Sequence, residues 1–235
     1  MRRQLARLGR SWALRLAAPG NLFQPWNDTC DDRYPDVFDF LARHLPAGDD
    51  VHVLSFGCST GEEVFSLRRA LPAAHLKGID ISRGNVAECR RRLHRLDEHR
   101  IEFVRAGSVG AEPDGCYDAV LCMAVFRHGS LAEVGAGGRC DHLLAFDAFA
   151  ESIAELVRCL KPGGFLVVEH SNFRVADTAA ADQLDVVLRR PLDGSDRRTP
   201  IFGADNRRLP PSGEHVDLIF RKSPPAPARD GRPSR

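Results

Sequence analysis

The sequence is short of lysine, of paired cysteines, of long apolar runs and of net charge, and each shortage removes a class of function. Lysine stands only at Lys77, Lys161 and Lys222, so nearly all of the 33 basic residues are arginine. With alanine abundant beside it, that arginine excess reads as a coding bias and not as a phosphate-binding signal. The run Arg90, Arg91, Arg92 and Arg95 is expected to be a solvated helix face. The 32 acidic residues balance the basic ones to a formal net charge of +1, leaving no global field toward nucleic acid or an acidic membrane. The seven cysteines make an odd total with no C-x-x-C pair. That pattern points away from a disulfide framework or a zinc cluster and toward a reducing, cytoplasmic setting. No apolar run approaches the roughly 20 residues of a membrane span.

What is present is an alternation of short apolar runs with helical stripes, the mark of a parallel sheet with crossover helices. Strands are expected at 52–56, 75–79, 101–105, 117–122 and 164–169, with a last one at 216–221. Val64, Leu67 and Leu71 form one helical stripe before Pro72; Val86, Cys89, Leu93 and Leu96 form another after Ser82. A third helix is expected over 145–160, ending at Lys161-Pro-Gly-Gly, and a fourth near 178–189. The 235 residues read as one α/β domain over 21–222. An arginine-rich helix is expected to precede it at 1–20, packed on the domain or acting as a presequence, and a proline-rich disordered tail to follow at 223–235.

The chemistry concentrates between Val51 and Asp80. Val51-His-Val-Leu-Ser-Phe-Gly57-Cys-Ser-Thr-Gly61-Glu-Glu63 is a strand, a small-residue turn and a helix start, a device that lets a ligand lie against backbone amides. A nucleoside-triphosphate loop needs Gly-Lys-Ser/Thr at its end, but two acids follow Gly61. A dinucleotide turn needs a second glycine where Ser59 stands. Glu62 and Glu63 repel a pyrophosphate and suit a ligand carrying an amino cation, as S-adenosylmethionine does. Asp80, about 20 residues on, stands where an acid accepts the ribose hydroxyls.

At these residues the sequence resembles the class I S-adenosylmethionine-dependent methyltransferases, and within them the catalytic domain of the chemotaxis receptor glutamate methyltransferases. Gly57-Cys-Ser-Thr-Gly-Glu-Glu63, with Ser55 before it, is similar to their glycine motif, and Asn27-Asp-Thr29-Cys-Asp-Asp-Arg33 with Phe38 to their entry segment. Asp118-Ala-Val-Leu-Cys122, Leu160-Lys-Pro-Gly-Gly, His170-Ser-Asn172-Phe and Ile219-Phe-Arg-Lys222 add to the likeness. The resemblance implies a Rossmann-like α/β fold, a mostly parallel seven-stranded sheet with helices on both faces. It also implies S-adenosylmethionine as cofactor. Arg33 would pair with the cofactor carboxylate, with Asn27 and Thr29 lining that pocket. Glu63 would hold the amino group, Asp80 the ribose, and Gly107 and Ser108 would lie beside the adenine. Gly57, Cys58, Ser59 and Gly61 of the turn, Ile81, and Cys122 with Met123 complete the expected cofactor contacts.

The departures bear on the acceptor. Met123-Ala124 replaces the Arg-Asn pair of that family, and His128 falls where it has an active-site tyrosine. The inserted β-subdomain between the second and third strands is missing, as is the N-terminal helical domain. These differences favour O- or N-methylation of a small molecule, with protein carboxyl methylation and non-catalytic cofactor binding as alternatives. Nucleic acid is not an expected partner. A hydroxyl acceptor benefits from a base, and His128 is the candidate, with His170 second. Cys58 and Cys122 are weighed as nucleophiles and set aside as small core residues. Phe23, Trp26 and Tyr34, the stretch 126–142 and the stretch 173–215 are expected around the acceptor, although the three aromatics fit a core equally well.

Overall fold

The structure is a computed structural model that describes Phe23 and residues 33–96, 98–194, 199–211 and 213–224. The expected N-terminal helix at 1–20, and with it Trp26, Asn27, Thr29 and nearly all of the tail, lie outside the described residues. Four α-helices are described: α1 (Pro35–His44), α2 (Glu62–Ala70), α3 (Arg83–His94) and α4 (Phe146–Cys159). The strands are β1 (His52–Phe56), β2 (His75–Asp80), β3 (Ile101–Arg105), β4 (Tyr117–Met123), β5 (Leu160–Glu169), β6 (Leu184–Pro191) and β7 (His215–Lys222). They form one sheet of order β3-β2-β1-β4-β5-β7-β6, parallel except for β7, which runs antiparallel to both neighbours. β1 and β3 have their expected bounds, and the seven-stranded, mostly parallel sheet is the expected one.

Alternation along the central strands buries both sheet faces. Leu54, Val120, Cys122, Leu166 and Val168 point to the side covered by α4, where Phe149, Ile153, Leu156 and Val157 pack. Val53, Ala119, Leu121 and Val167 point to the side covered by α1, α2 and α3 through Leu41, Val64, Leu67, Val86 and Cys89. The helix starts are coded locally. Pro35 opens α1, where its missing N–H is no loss, and Ser82 Oγ caps α3 by accepting from Asn85 N at 3.3 Å.

The helix expected near 178–189 is a correction. A short 3-10 turn at Ala179–Gln183 leads into β6. Leu184, Val186, Leu188 and Arg190 point inward while Asp185, Val187 and Arg189 are exposed. The two valines and two leucines satisfy either a helical or an alternating pattern, and pairing with β7 decides for the strand. Lys161-Pro-Gly-Gly is likewise not a plain turn: β5 starts at Leu160 and shifts register against β4 between Tyr117 and Ala119. Nor is the arginine run wholly solvated. Arg90 donates from Nε and Nη2 to Phe103 O, and Arg92 binds Glu62, because guanidinium stems reach back across α3 to unpaired carbonyls and acids. Among the described residues no helix is long and apolar enough to cross a membrane.

Gly78 in β2 is where the sheet tolerates no side chain. A Cβ there would stand 2.6 Å from Phe103 Cδ1 and 2.9 Å from Cys58 Sγ. Gly78→Ala is expected to cost about 1–3 kcal/mol of stability through this overpacking. Urea denaturation checks it, and an unchanged midpoint would mean that the Phe103 ring yields at no cost.

Candidate active site

Ser55, Leu121 and Val167 stand in one row across β1, β4 and β5. Two residues further on, Gly57, Met123 and Glu169 complete the strands' carboxyl edge. The chain leaves that edge through left-handed backbone at Gly57 (φ 75°), Ala124 (φ 59°) and His170 (φ 52°), and Ser59 inside the glycine turn has φ 52°. A left-handed non-glycine residue costs on the order of 1–2 kcal/mol. Such strain gathers at functional sites, and the carboxyl edge is where open α/β sheets bind ligands. The turn at 57–61 is legible in the sequence; Ala124 and His170 have no glycine to mark them.

The glycine turn is fastened to β2. Gly57 N and Cys58 N both donate to Ile79 O, at 2.8 and 3.0 Å. Ser59 N donates to Asp80 Oδ2 at 2.9 Å, while Asp80 Oδ1 accepts from Ser82 N at 2.8 Å and Asn85 Nδ2 at 3.0 Å. Asp80 is 8% exposed. Burial pushes its carboxyl above the ordinary range, and the three donors pull it back. A carboxylate offers about four acceptor positions, so this bracing leaves roughly one for a ligand hydroxyl. Spacing alone gives no sign of the bracing.

The two acids at the start of α2 divide their work. Glu62 is tied to Arg92 at 2.8 Å and to the Thr60 hydroxyl at 2.7 Å, and the Arg92 guanidinium lies 4.3 Å from the Phe65 ring centre. Glu62 therefore clamps α2 to α3. Glu63 is the acid left for chemistry: desolvation pushes its carboxyl up to about 7, against the opposing influence of Ser55 and of the Arg33 guanidinium. The Ser55 hydroxyl faces the Glu63 carboxyl, and the Ser59 hydroxyl is buried with no hydrogen-bond partner among the described residues. A desolvated acid, a nearby arginine and an unsatisfied hydroxyl fit a zwitterionic amino-acid group, whose ammonium suits Glu63 and whose carboxylate suits Arg33.

The remaining sequence candidates fall as follows. Arg105 Nε donates to Ile81 O at 3.4 Å and Ala106 N to Asp80 O at 3.2 Å, which sets Gly107 and Ser108 beside the end of β2. Met123, half-buried, ends β4. Cys58 and Cys122 are buried thiols: contact with Cys89 and then burial push Cys58 well up, and burial does the same to Cys122. Neither supplies a thiolate near neutral pH. Phe23 belongs to the core, its ring 5.0 Å from Phe126, which in turn packs 5.0 Å from Phe149. Tyr34 is half-buried, with its ring 6.1 Å from His170.

His128 is 3% exposed at the entry to a 3-10 turn, Gly129–Glu133. Its N–H donates to Asn172 Oδ1 at 2.8 Å. Asn172, fully buried, also donates from Nδ2 to Pro200 O at 2.7 Å and from its own N–H to Phe126 O at 2.8 Å, and its carbonyl accepts from Phe202 N at 2.9 Å. One amide thus joins the loops after β4 and β5 to the 200–202 segment. A cavity of about 350 Å³ lined by His52, His75, Lys77, His99 and Glu112 lies at the opposite, amino end of the strands, away from this edge.

The strand order, the antiparallel β7, the glycine turn after β1 and the acid ending β2 define the class I S-adenosylmethionine-dependent methyltransferase fold. Residues 53–164 match the family model described as a methyltransferase domain. It is 29% identical over 143 residues to a trans-aconitate 2-methyltransferase of Methylobacterium nodulans, covering 59% of this chain and 45% of that protein. It is 26% identical over 177 residues to phthiotriol/phenolphthiotriol dimycocerosates methyltransferase 1 of Mycobacterium ulcerans, covering 75% of this chain and 57% of the relative. The chain therefore spans about half the length of these curated relatives. Among solved structures it superposes on the [4+2]-cyclase SpnF with a TM-score of 0.53 at 17% identity, covering 80% of this chain and 81% of the other. That likeness shows the fold alone, and a fold does not fix a reaction.

Because Glu63 titrates higher folded than unfolded, the folded protein holds that proton more tightly. The stability this confers is complete below the unfolded value near 4.5 and is lost as pH rises through about 7. Between pH 5 and 8 the native protein is expected to lose roughly 2–3 kcal/mol on this account, and Glu63→Gln to remove that loss. Thermal melts of both proteins across the interval check it; parallel curves would show that Glu63 is not desolvated.

Proposed function

We infer that the chain is an S-adenosylmethionine-dependent methyltransferase acting on an oxygen or nitrogen of a small molecule. The observation that carries the reading is the desolvated Glu63 beside Arg33 at a glycine turn braced by Asp80. The bound cofactor supplies an electrophilic methyl group on a sulfonium. In this reading Glu63 takes the cofactor ammonium, which lowers the acid's pKa again, and Arg33 takes the carboxylate. Asp80 accepts a ribose hydroxyl, the Gly57–Gly61 turn closes over the ligand, and Gly107 with Ser108 flanks the base. The chain's further tasks are to hold the acceptor about 3–3.5 Å from the methyl carbon, in line, and to exclude water.

Two relatives named for methylation of small molecules support the acceptor class. The likeness to chemotaxis receptor methyltransferases is proposed for the cofactor half only. α3 passes to β3 without an inserted subdomain, and Met123 ends β4 with Ala124 after it, so a receptor-docking surface has little to stand on.

Calorimetry with S-adenosylmethionine and S-adenosylhomocysteine tests the reading, and NAD binding in their place would overturn it. Arg33→Ala should weaken either ligand about tenfold to a hundredfold, the loss of a charge-assisted hydrogen bond. An unchanged dissociation constant would remove Arg33 from the site. Transfer of labelled methyl to a panel of small acids, phenols and amines, against lysate protein as the comparison, separates the acceptor classes.

A further inference from the structure

The carboxyl edge carries a second cluster, apart from the residues proposed to hold the cofactor. Glu169 is 3% exposed, yet it is ionically paired: the Arg190 guanidinium from β6 donates to both its oxygens, through Nη2 and, at 3.4 Å, through Nε. His170 follows it with left-handed backbone, its side chain 10% exposed and its Nδ1 3.6 Å from Glu169 Oε1. The Tyr34 ring faces the imidazole from the segment before α1. Arg33, the preceding residue, acts electrostatically on Glu63. Consecutive residues 33 and 34 therefore connect the acid at the glycine turn with the imidazole at the end of β5. Strands lie about 4.8 Å apart, so β1 and β5, separated by β4, are roughly 10 Å apart at this edge, the width of one small acceptor laid over Met123.

Resting on the methyltransferase reading above, we propose that His170 accepts the proton of a hydroxyl-bearing acceptor bound over β4, with Glu169 as its positioning residue. Glu169, paired with Arg190, lies on the Nδ1 side of the imidazole, and the acceptor's proton goes to Nε2. As the acceptor oxygen bonds to the methyl carbon, the carbon–sulfur electron pair goes to sulfur and the hydroxyl proton goes to His170. The imidazolium, stabilised by Glu169, then releases that proton to water. Among the described residues, Glu169 on β5 lies beside the imidazole, with Arg190 on β6 paired to that acid and the Tyr34 ring before α1 near the imidazole. His128 sits deeper and is anchored through its backbone to Asn172. A strained backbone beside a buried ion pair is expensive to keep, and orienting one imidazole at the edge gives it a purpose.

The test is an NMR titration of labelled histidine, with the His170 signal assigned by its disappearance in His170→Asn, since asparagine tolerates left-handed backbone. Bound S-adenosylmethionine places a sulfonium charge near the edge, and S-adenosylhomocysteine does not. His170 should titrate about half to one pH unit lower in the first complex than in the second. Glu169→Gln should lower its midpoint in the ligand-free protein. With a phenol acceptor, His170→Asn should slow transfer by about 10²–10⁴-fold at unchanged cofactor affinity. An identical His170 midpoint in the two complexes, or full turnover by His170→Asn on a phenol, overturns the proposal while leaving the methyltransferase reading intact. Failure of both ligands to bind overturns that reading and this proposal together.

Discussion

A single desolvated carboxylate organises the cofactor half of the molecule. Asp80 has left water at the end of a parallel strand, and a buried acid without partners is costly enough to be neutralised or expelled. Its oxygens are satisfied by three donors from three places: the glycine turn, the start of α3 and the side chain of Asn85. The turn after β1 is thus held by its neighbour strand at both the backbone and the side-chain level, and α3 begins where it does because Asp80 and Ser82 fix its first turn. Gly61, left-handed at φ 90°, then releases α2 in the direction that carries Glu63 inward and Glu62 out to Arg92. The separation of two adjacent acids into a clamp and a reactive group follows from that geometry.

Much of this was legible in the residues. Strand bounds came from short β-branched runs between turn signals, and helix stripes from their 3.6-residue period; both are local and survive folding unchanged. Glycine turn and acid, 19 to 23 residues apart, were legible because the β-α-β unit that joins them is itself local. What was not legible is assembled from distant pieces. Leu184-Asp-Val-Val-Leu is ambiguous by itself and becomes a strand only through β7, some thirty residues later. The Asn172 junction needs Phe126, His128, Pro200 and Phe202, and no spacing links them. Left-handed Ala124 and His170 carry ordinary side chains, so their strain is imposed by the sheet edge and not announced by composition.

The two halves of the crevice are accordingly built on different principles. The cofactor side is a continuous segment with short connections and repeated fastening to β2. The other side is made of loops after β4 and β5 and the 199–209 stretch, tied at Asn172 and backed by the Phe126, Phe149, Phe173 and Phe202 rings. A buried aromatic floor with one polar junction lets side chains above it vary while the loop path stays constant. That arrangement suits a fold whose reaction partner differs from one member to the next.

The placement of β7 has a consequence for how the chain is made. In the sheet it lies between β5 and β6, although it is translated after both. Strand β6 emerges from the ribosome with no neighbour to pair with, and it must wait for His215–Lys222 before it can dock. Until then Val168, Leu166 and the rest of β5 present an open edge to the cell, the condition under which nascent sheets associate wrongly. Arg190 reaches Glu169 only after β6 arrives. The β5 side of the crevice is therefore assembled last, and a chain stopped short of β7 would hold a formed glycine turn beside an unfinished edge.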